Sequence, residues 1–148
     1  MGKRRRAREL AMQALFFLDF STSPPEEALD LFVKEHPPPQ GAEDFFFALT
    51  RGVIAYRDDL DRTIARHSQH WKLSRMSAVD RNLLRVAVFE MTRGKDVPAK
   101  VAINEAVDIG KLYGTDDTGG FLNGILDSIR AELEDPAPKP EKQKPNGS

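Results

Sequence analysis

Residues 77–94 read SAVDRNLLRVAVFEMTRG, and this stretch decides the fold. Ser77 is a suitable N-cap and Gly94 a suitable end, so the pattern predicts a helix from about residue 78 to residue 93. Its apolar residues cover more than one helical face: Val79, Leu83, Leu84, Val86, Ala87, Val88 and Met91. Because such a helix must be covered on several sides, we expect it to lie at the centre of the protein.

The helical spacing of apolar residues predicts further helices on both sides of this stretch. They cover about residues 7–18, 24–36, 42–56, 99–113 and 118–133, and the third continues or restarts through Leu60 and Ile64. Ser23 and Glu26 have the spacing of a capping box at the start of the second helix. No alternating apolar and polar strand of useful length is present, so the sequence predicts an all-α protein.

The composition fits one globular domain followed by a tail. The chain has 148 residues, 40% of them hydrophobic, which is enough for a single hydrophobic core. We place the domain at residues 1–134. The remaining segment, DPAPKPEKQKPNGS, has almost no apolar content and cannot offset the entropy of ordering, so we predict a disordered tail over residues 135–148.

The sequence argues against export and membrane insertion. There is no cysteine, which excludes disulfides, cysteine-ligated zinc and thiol catalysis and is compatible with a reducing cytoplasm. Glu9, Gln13 and Asp19 interrupt the stretch that would be apolar in a signal peptide. Nothing approaches the run of about 20 apolar residues that spans a bilayer. We therefore expect a cytoplasmic protein with no membrane partner.

Catalytic motifs are absent from the sequence. It contains no P-loop, no GxGxxG and no G-x-S-x-G elbow. His67 and His70 lie three residues apart, but without cysteine, a His-Glu-x-x-His motif or an obvious third ligand they indicate a polar loop and not a metal site. The sequence therefore predicts binding without catalysis, with no cofactor and no metal.

Positive charge is concentrated at the start of the chain, in a basic cluster formed by Lys3, Arg4, Arg5, Arg6 and Arg8. The formal net charge of the chain is −1, so subtracting these five positive charges leaves about −6 on the other residues. This distribution is typical of a binding site for a polyanion, and nucleic acid is the first candidate. Arginine side chains fork onto phosphates or stack on bases. The alternative is a solvated basic tail.

A second polar segment, TDDTGGF at residues 115–121, leads into the last predicted helix. Its two acids fit a helix start, where they cap free N–H groups and interact with the helix dipole. Phe121 has two possible roles. An aromatic residue is more often part of the core, but one beside glycines and free helix N–H groups also suits stacking on a single-stranded base.

Several segments of the chain, in order and with matching spacing, resemble the NusB family of bacterial antitermination factors. They are RRRARE (residues 4–9), QAL (13–15), VDRNLLRVA (79–87) followed by FE (89–90), VP (97–98), VAINEA (101–106) and FLNGILD (121–127). The resemblance covers about residues 3–130, which is most of the predicted domain.

The resemblance implies an all-helical fold of about seven helices in two small bundles, with no enzyme activity. Proteins similar to this one bind boxA, a single-stranded RNA element of nascent ribosomal RNA leaders. They do so with a small-subunit ribosomal protein, called NusE in this role. The complex joins RNA polymerase and other Nus factors and suppresses premature termination. Both monomers and homodimers are compatible with the resemblance.

Candidate site residues follow from the resemblance position by position. Those implied for RNA binding are Lys3, Arg4, Arg5, Arg6, Arg8, Lys100, Asp117, Thr118 and Phe121. Those implied for contact with NusE are Phe16, Asp80 and Arg75. The chain departs from the family at two points. Ser68 stands where some relatives have an aromatic residue that helps hold RNA, and Trp71 is nearby. The proline-rich tail has no counterpart in the family.

Three other functions compete with this interpretation. A NusB-like module of a ribosomal RNA methyltransferase would need a downstream Rossmann-like domain with a glycine-rich loop, and we expect none because the chain ends first. A structural ribosome-assembly factor would bind NusE through protein contacts alone, without RNA preference. A small helical hydrolase would need a nucleophile–base pair, which the sequence does not indicate.

Overall fold

The central helix predicted from residues 77–94 is present in the computed structural model, together with five other helices in the described residues. The structure describes residues 2–69, 71–94 and 96–135. Its elements are α1 (Lys3–Asp19), α2 (Pro25–Glu35), α3 (Glu43–His67), a 3-10 turn (Leu73–Arg75), α4 (Ala78–Arg93), α5 (Ala99–Tyr113) and α6 (Thr118–Glu134). All regular structure in these three ranges is helical, which confirms the predicted fold class.

α4 lies between two groups of helices. α1 packs against α2 and α3, α5 packs against α6, and α4 contacts α1, α3, α5 and α6. The seven consecutive residues 82–88 are all buried, so the helix is covered on every face over about two turns. The predicted central position is therefore confirmed, and α4 joins the two small bundles into one continuous core.

One predicted helix start is confirmed and another is wrong. The Ser77 hydroxyl accepts a hydrogen bond from the backbone N–H of Asp80 at 3.0 Å, as an N-cap does. Ser23, by contrast, does not cap α2, which begins at Pro25 with Pro24 in the N-cap position. Because a residue that precedes proline is disfavoured in the helical conformation, Pro24 is extended (φ −56°, ψ 147°) and the helix starts one residue later than predicted.

α3 bends at Tyr56, whose backbone angles (φ −109°, ψ 18°) leave the helical range. The sequence left open whether this helix continues or restarts after residue 56, and the chain continues there through a kink. Counting the two halves of α3 separately gives seven helices within the described ranges. Before the kink, Gly52 lets α3 approach α4, because a Cβ at this position would overlap the ring of Phe89. Tyr56 in turn stacks on Phe89, with the ring centroids 6.5 Å apart.

Asp19, at the end of α1, joins three helices through charged hydrogen bonds. Its carboxylate accepts from Arg81 at 3.1 Å and from Asn82 at 2.9 Å. Arg85, also on α4, reaches Asp19 at 3.5 Å and donates to both carboxylate oxygens of Asp61 on α3, at 2.8 and 3.0 Å. Arg85 is 3% exposed, and a charge buried to this extent is tolerated only because it is paired.

The last helix, α6, ends at Glu134. Of the predicted tail, residues 136–148 lie outside the described residues. Among the described helices, none combines the length and the apolar character that crossing a membrane requires.

Replacing Arg85 with Ala should lower the free energy of unfolding by about 3–5 kcal/mol, because Asp61 and Asp19 lose their buried partner. Urea denaturation followed by circular dichroism measures this loss. Arg57→Ala is the matched control: Arg57 approaches the same two carboxylates at 3.6 and 4.0 Å but its side chain is 50% exposed. We expect a loss of at most about 1 kcal/mol there. Equal losses in the two variants would contradict the prediction.

Candidate nucleic-acid interface

The basic cluster is the first part of α1 and not a tail. α1 begins at Lys3, so all five basic residues lie on the helix. Ala7 and Leu10 are buried in the hydrophobic core, and they fix this part of α1 to the rest of the protein. The solvated tail considered from the sequence is therefore wrong for these residues.

Arg8 is held inside the protein by Glu90 of α4. Its Nε and Nη2 donate to the two carboxylate oxygens of Glu90, both at 2.8 Å, and its Nη1 donates to Glu105 of α5 at 3.2 Å. Arg8 and Glu90 are only 5% and 3% exposed. The resemblance assigned Arg8 to RNA contact, but its guanidinium lies below the surface, where it fastens α1 to α4 and α5.

Arg5 is half-buried and faces two carboxylates of α5. It donates from Nε and Nη2 to the two oxygens of Glu105, at 2.6 and 2.9 Å, and from Nη2 to Asp108 at 3.0 Å. The hydrogen bonds from Arg5 lower the pKa of Glu105 below its ordinary value, against the opposing effect of partial burial. Glu105 is therefore ionised at neutral pH and holds Arg5 against α5.

The exposed cations of the predicted RNA site are Arg4, Arg6, Lys3 and Lys100. The Arg4 and Arg6 side chains are about half exposed, and the two lysines are exposed at the starts of α1 and α5. Exposed guanidinium and ammonium groups can bind a phosphate without first leaving a buried site. Among the basic residues of α1, direct phosphate contact is therefore most accessible to Lys3, Arg4 and Arg6.

An aromatic ring that sequence reasoning missed lies beneath the arginines. The guanidinium carbons of Arg4 and Arg8 are 4.4 and 4.9 Å from the centre of the Phe45 ring, which is within the range of a cation–π contact. The available signal was the run Phe45-Phe46-Phe47. Three consecutive helical residues cannot all face the core, and Phe46 takes the core position while Phe45 is left under the arginines.

The start of α6 lines an open pocket of about 200 Å³. The lining residues are Trp71, Arg75, Met76, Ser77, Asp80, Thr115, Asp117, Thr118 and Phe121. The pocket brings together three residues that the resemblance assigned to RNA and two that it assigned to NusE. Sequence spacing gave no indication that these two sets would share one surface.

The capping of α6 differs from the prediction. Asp117 occupies the N-cap position but its side chain caps no N–H group. The Thr118 hydroxyl instead accepts a hydrogen bond from the backbone N–H of Thr115 at 3.0 Å. The Thr118 side chain thereby closes the turn before α6, and the Asp117 carboxylate stays at the exposed rim of the pocket.

Phe121 belongs to both the core and the pocket. Its half-buried ring packs against the hydrophobic core and meets Trp71 edge-on, with the ring centroids 6.1 Å apart and the planes at 83°. Ser68 is 6% exposed, whereas Trp71 is 54% exposed. Trp71, and not Ser68, therefore supplies a second aromatic surface beside Phe121.

The residues assigned to NusE lie in two places. Phe16 is on the exposed face of α1, 40% exposed, with its ring 5.2 Å from that of Phe20. Asp80 and Arg75 line the pocket at the start of α6. Asp19 links the two places. It lies three residues after Phe16 on α1, and its carboxylate accepts a hydrogen bond from Arg81, the residue next to Asp80.

The structure also forms a nucleophile–base–acid arrangement that the sequence did not indicate. His67 Nδ1 lies 2.7 Å from the Ser128 hydroxyl and Nε2 lies 2.6 Å from the Glu132 carboxylate. Partial burial would raise the pKa of Glu132, but hydrogen bonds from His67 and Arg66 outweigh it and lower the pKa. Ser128 and Glu132 are exposed on one face of α6, so we interpret this group as a link between α3 and α6. His70, the other histidine of the predicted loop, lies outside the described residues.

The fold and the site define a class of protein: an all-helical binding protein with an arginine-rich first helix and an aromatic pocket at the start of the last one. A sequence model of the NusB family matches residues 5–131. The chain is 57% identical over 133 residues to the transcription antitermination protein NusB of Desulfatibacillum aliphaticivorans, covering 90% of this chain and 93% of the relative. It is 48% identical to that of Desulforapulum autotrophicum, covering 88% and 92%. The chain belongs to the NusB family, a family of RNA-binding antitermination factors and not of enzymes.

Solved structures of the family have the same fold. NusB of T. maritima superposes with a TM-score of 0.79 at 38% sequence identity, covering 87% of this chain and 91% of that one. A crystal structure of the antitermination factors NusB and NusE in complex with dsRNA matches with a TM-score of 0.76 at 25% identity, covering 87% and 96%. These matches confirm the family resemblance that the sequence motifs indicated.

Replacing Arg8 with Ala should destabilise the protein by about 3–5 kcal/mol, because the buried carboxylate of Glu90 loses its partner. Arg6→Ala, which removes a half-exposed arginine two residues away, should cost at most about 1 kcal/mol. Thermal and urea unfolding measure both. The double variant Arg8→Met/Glu90→Leu replaces the pair with apolar side chains and should recover most of the loss. If Arg8→Ala unfolds like the unmutated protein, Arg8 has no structural role.

Proposed function

We propose that this protein is a cytoplasmic transcription antitermination factor that binds a boxA element in ribosomal RNA leader transcripts together with NusE. In this role it supports processive transcription by joining RNA polymerase and other Nus factors. The observation that carries the proposal is the likeness to the NusB–NusE complex with RNA, combined with an arginine cluster that is helical and fixed to the core.

Charge and geometry support the RNA part of the proposal. Arg4 and Arg6 are half-exposed on a helix whose inner face is buried, so their guanidiniums are held near the surface, where a phosphate can reach them. Phe121 and Trp71 offer aromatic surfaces beside the exposed carboxylate of Asp117. Phosphate contacts would give affinity and stacked bases would give a preference for unpaired nucleotides.

RNA affinity should depend on Arg4 and Arg6 through neutralised phosphates. Arg4→Ala and Arg6→Ala should each weaken binding and flatten the slope of log affinity against log salt by about 0.7 for a single strand. Fluorescence anisotropy with a boxA-containing RNA at several salt concentrations measures the slope. Arg62→Ala is the control, because Arg62 is an exposed arginine on α3. A slope that changes equally in the control would contradict the proposal.

Phe121→Ala should reduce RNA affinity by about 1–3 kcal/mol through lost stacking. The adjacent residue, Leu122, is fully buried, so Leu122→Ala should cost about 2–5 kcal/mol of folding stability. Phe121→Ala should cost less stability than Leu122→Ala, because its ring is only half-buried. Comparing melting temperature and RNA affinity for the two variants tests this. A larger stability loss in Phe121→Ala, with RNA affinity intact, would make Phe121 a core residue only.

Phe16 is a better residue than Asp80 for testing the NusE part of the proposal. Asp80 lines the same pocket as Phe121 and Asp117, so a substitution there would disturb RNA and protein contacts together. Phe16 is exposed on α1 and separate from that pocket. An aromatic pair of this kind, Phe16 with Phe20, suits the apolar centre of a protein interface.

NusE should tighten RNA binding, and by linkage RNA should tighten NusE binding by the same factor. Phe16→Asp should abolish this enhancement while leaving the RNA affinity of the isolated protein unchanged. Anisotropy titrations with and without saturating NusE, on single-stranded and double-stranded boxA RNA, provide the measurement. Unchanged RNA affinity on adding NusE to the unmutated protein would favour the alternative of a ribosome-assembly factor that works through protein contacts alone.

A further inference from the structure

Each arginine of the basic cluster already has a carboxylate partner within the protein. Arg5 and Arg8 share Glu105, and the other pairs are Arg4 with Asp96 at 3.3 Å, Arg5 with Asp108 at 3.0 Å, Arg6 with Glu9 at 2.9 Å and Arg8 with Glu90 at 2.8 Å. Four arginines thus face five carboxylates. The part of α1 that looks strongly basic in the sequence is close to neutral in the folded protein.

The contact between Arg5 and Glu105 has the form that a phosphate contact would take. Both oxygens of Glu105 accept, one from Nε and one from Nη2, which is the fork by which arginine binds two oxygens of a phosphate. While Glu105 accepts from Nε and Nη2, Arg5 cannot use these two donors to bind RNA. Asp108 holds Nη2 as well, so a phosphate must displace carboxylates of α5 to use Arg5.

We infer that Glu105 and Asp108 compete with RNA for Arg5: they occupy it in the free protein and set a threshold that a polyanion must exceed to use this arginine. The inference rests on the proposed RNA-binding function. A polyanion that offers only charge gains little free energy when its own oxygens replace the carboxylate oxygens on Arg5. An RNA that also fills the aromatic pocket gains additional free energy, so the exchange becomes favourable for that RNA.

The burial of these pairs determines which of them can open. The Asp108 side chain is about half exposed and that of Glu105 is 21% exposed, and ion pairs near the surface contribute little to stability. The Arg8–Glu90 pair is nearly fully buried and stays closed. α1 therefore keeps its position through Arg8 while Arg5 changes partner.

Removing the competing carboxylates should strengthen binding of every polyanion that can reach Arg5, because none of them then has to displace a carboxylate. The test compares Asp108→Asn and Glu105→Gln with the unmutated full-length protein, using boxA-containing RNA, a scrambled RNA of the same length and composition, and heparin. Each substitution should tighten scrambled RNA and heparin by about two- to fivefold, corresponding to one surface ion pair. BoxA-containing RNA, which displaces these carboxylates from Arg5 in the unmutated protein, should tighten by at least the same factor.

Glu26→Gln is the control for net charge. Glu26 pairs with the exposed Arg51 of α3, so this substitution removes one negative charge away from α1 and should leave all three affinities unchanged. Melting temperatures establish that each variant is folded, and Asp108→Asn carries the test if Glu105→Gln is destabilised. Affinities for scrambled RNA and heparin that stay constant or weaken in Asp108→Asn would overturn the inference. If the unmutated protein has no boxA preference but the variants bind heparin more tightly, the carboxylates compete as inferred and the proposed function is what fails.

Discussion

Two ion pairs on α4, Arg8–Glu90 and Arg85–Asp61, constrain the arrangement of the other helices. α4 is covered over about two turns, yet it carries charged side chains that are almost fully buried. A buried charge without a partner costs several kcal/mol, so α1 and α3 must lie where their own charged residues meet those of α4. The apolar residues of α4 bring the helices together, and these ion pairs fix how α1 and α3 are placed along it.

That constraint determines which part of the basic cluster is available for binding. On a helix each residue is rotated by about 100° from the one before it, so neighbouring arginines point in different directions. With Arg8 fixed on Glu90, Arg5 faces α5, while Arg4 and Arg6 remain half-exposed. A row of similar residues in the sequence thus separates into a structural arginine, a masked arginine and two accessible ones.

Local features of the fold were predictable from the sequence because they depend on neighbouring residues. The apolar repeats gave the six helices, Gly94 and Gly114 ended two of them, and Ser77 capped α4. The predictions that were wrong are also local but depend on a competing group. Pro25 kept Pro24 out of the helical conformation, so Ser23 is not the cap, and the Thr118 hydroxyl closed the turn where Asp117 was expected to cap.

By itself, the sequence determined the helical class, the central place of α4, the family and the two segments from which the candidate site is built. Only the tertiary structure decided how those segments are used. Arg8 and Glu90 are 82 residues apart in the chain and Arg5 and Glu105 are 100 apart. Trp71, which lies just before the 3-10 turn, meets Phe121 of α6. Helical periodicity reports which face of a helix is buried but not which helix covers it, so the partners of these side chains are fixed only when the helices pack.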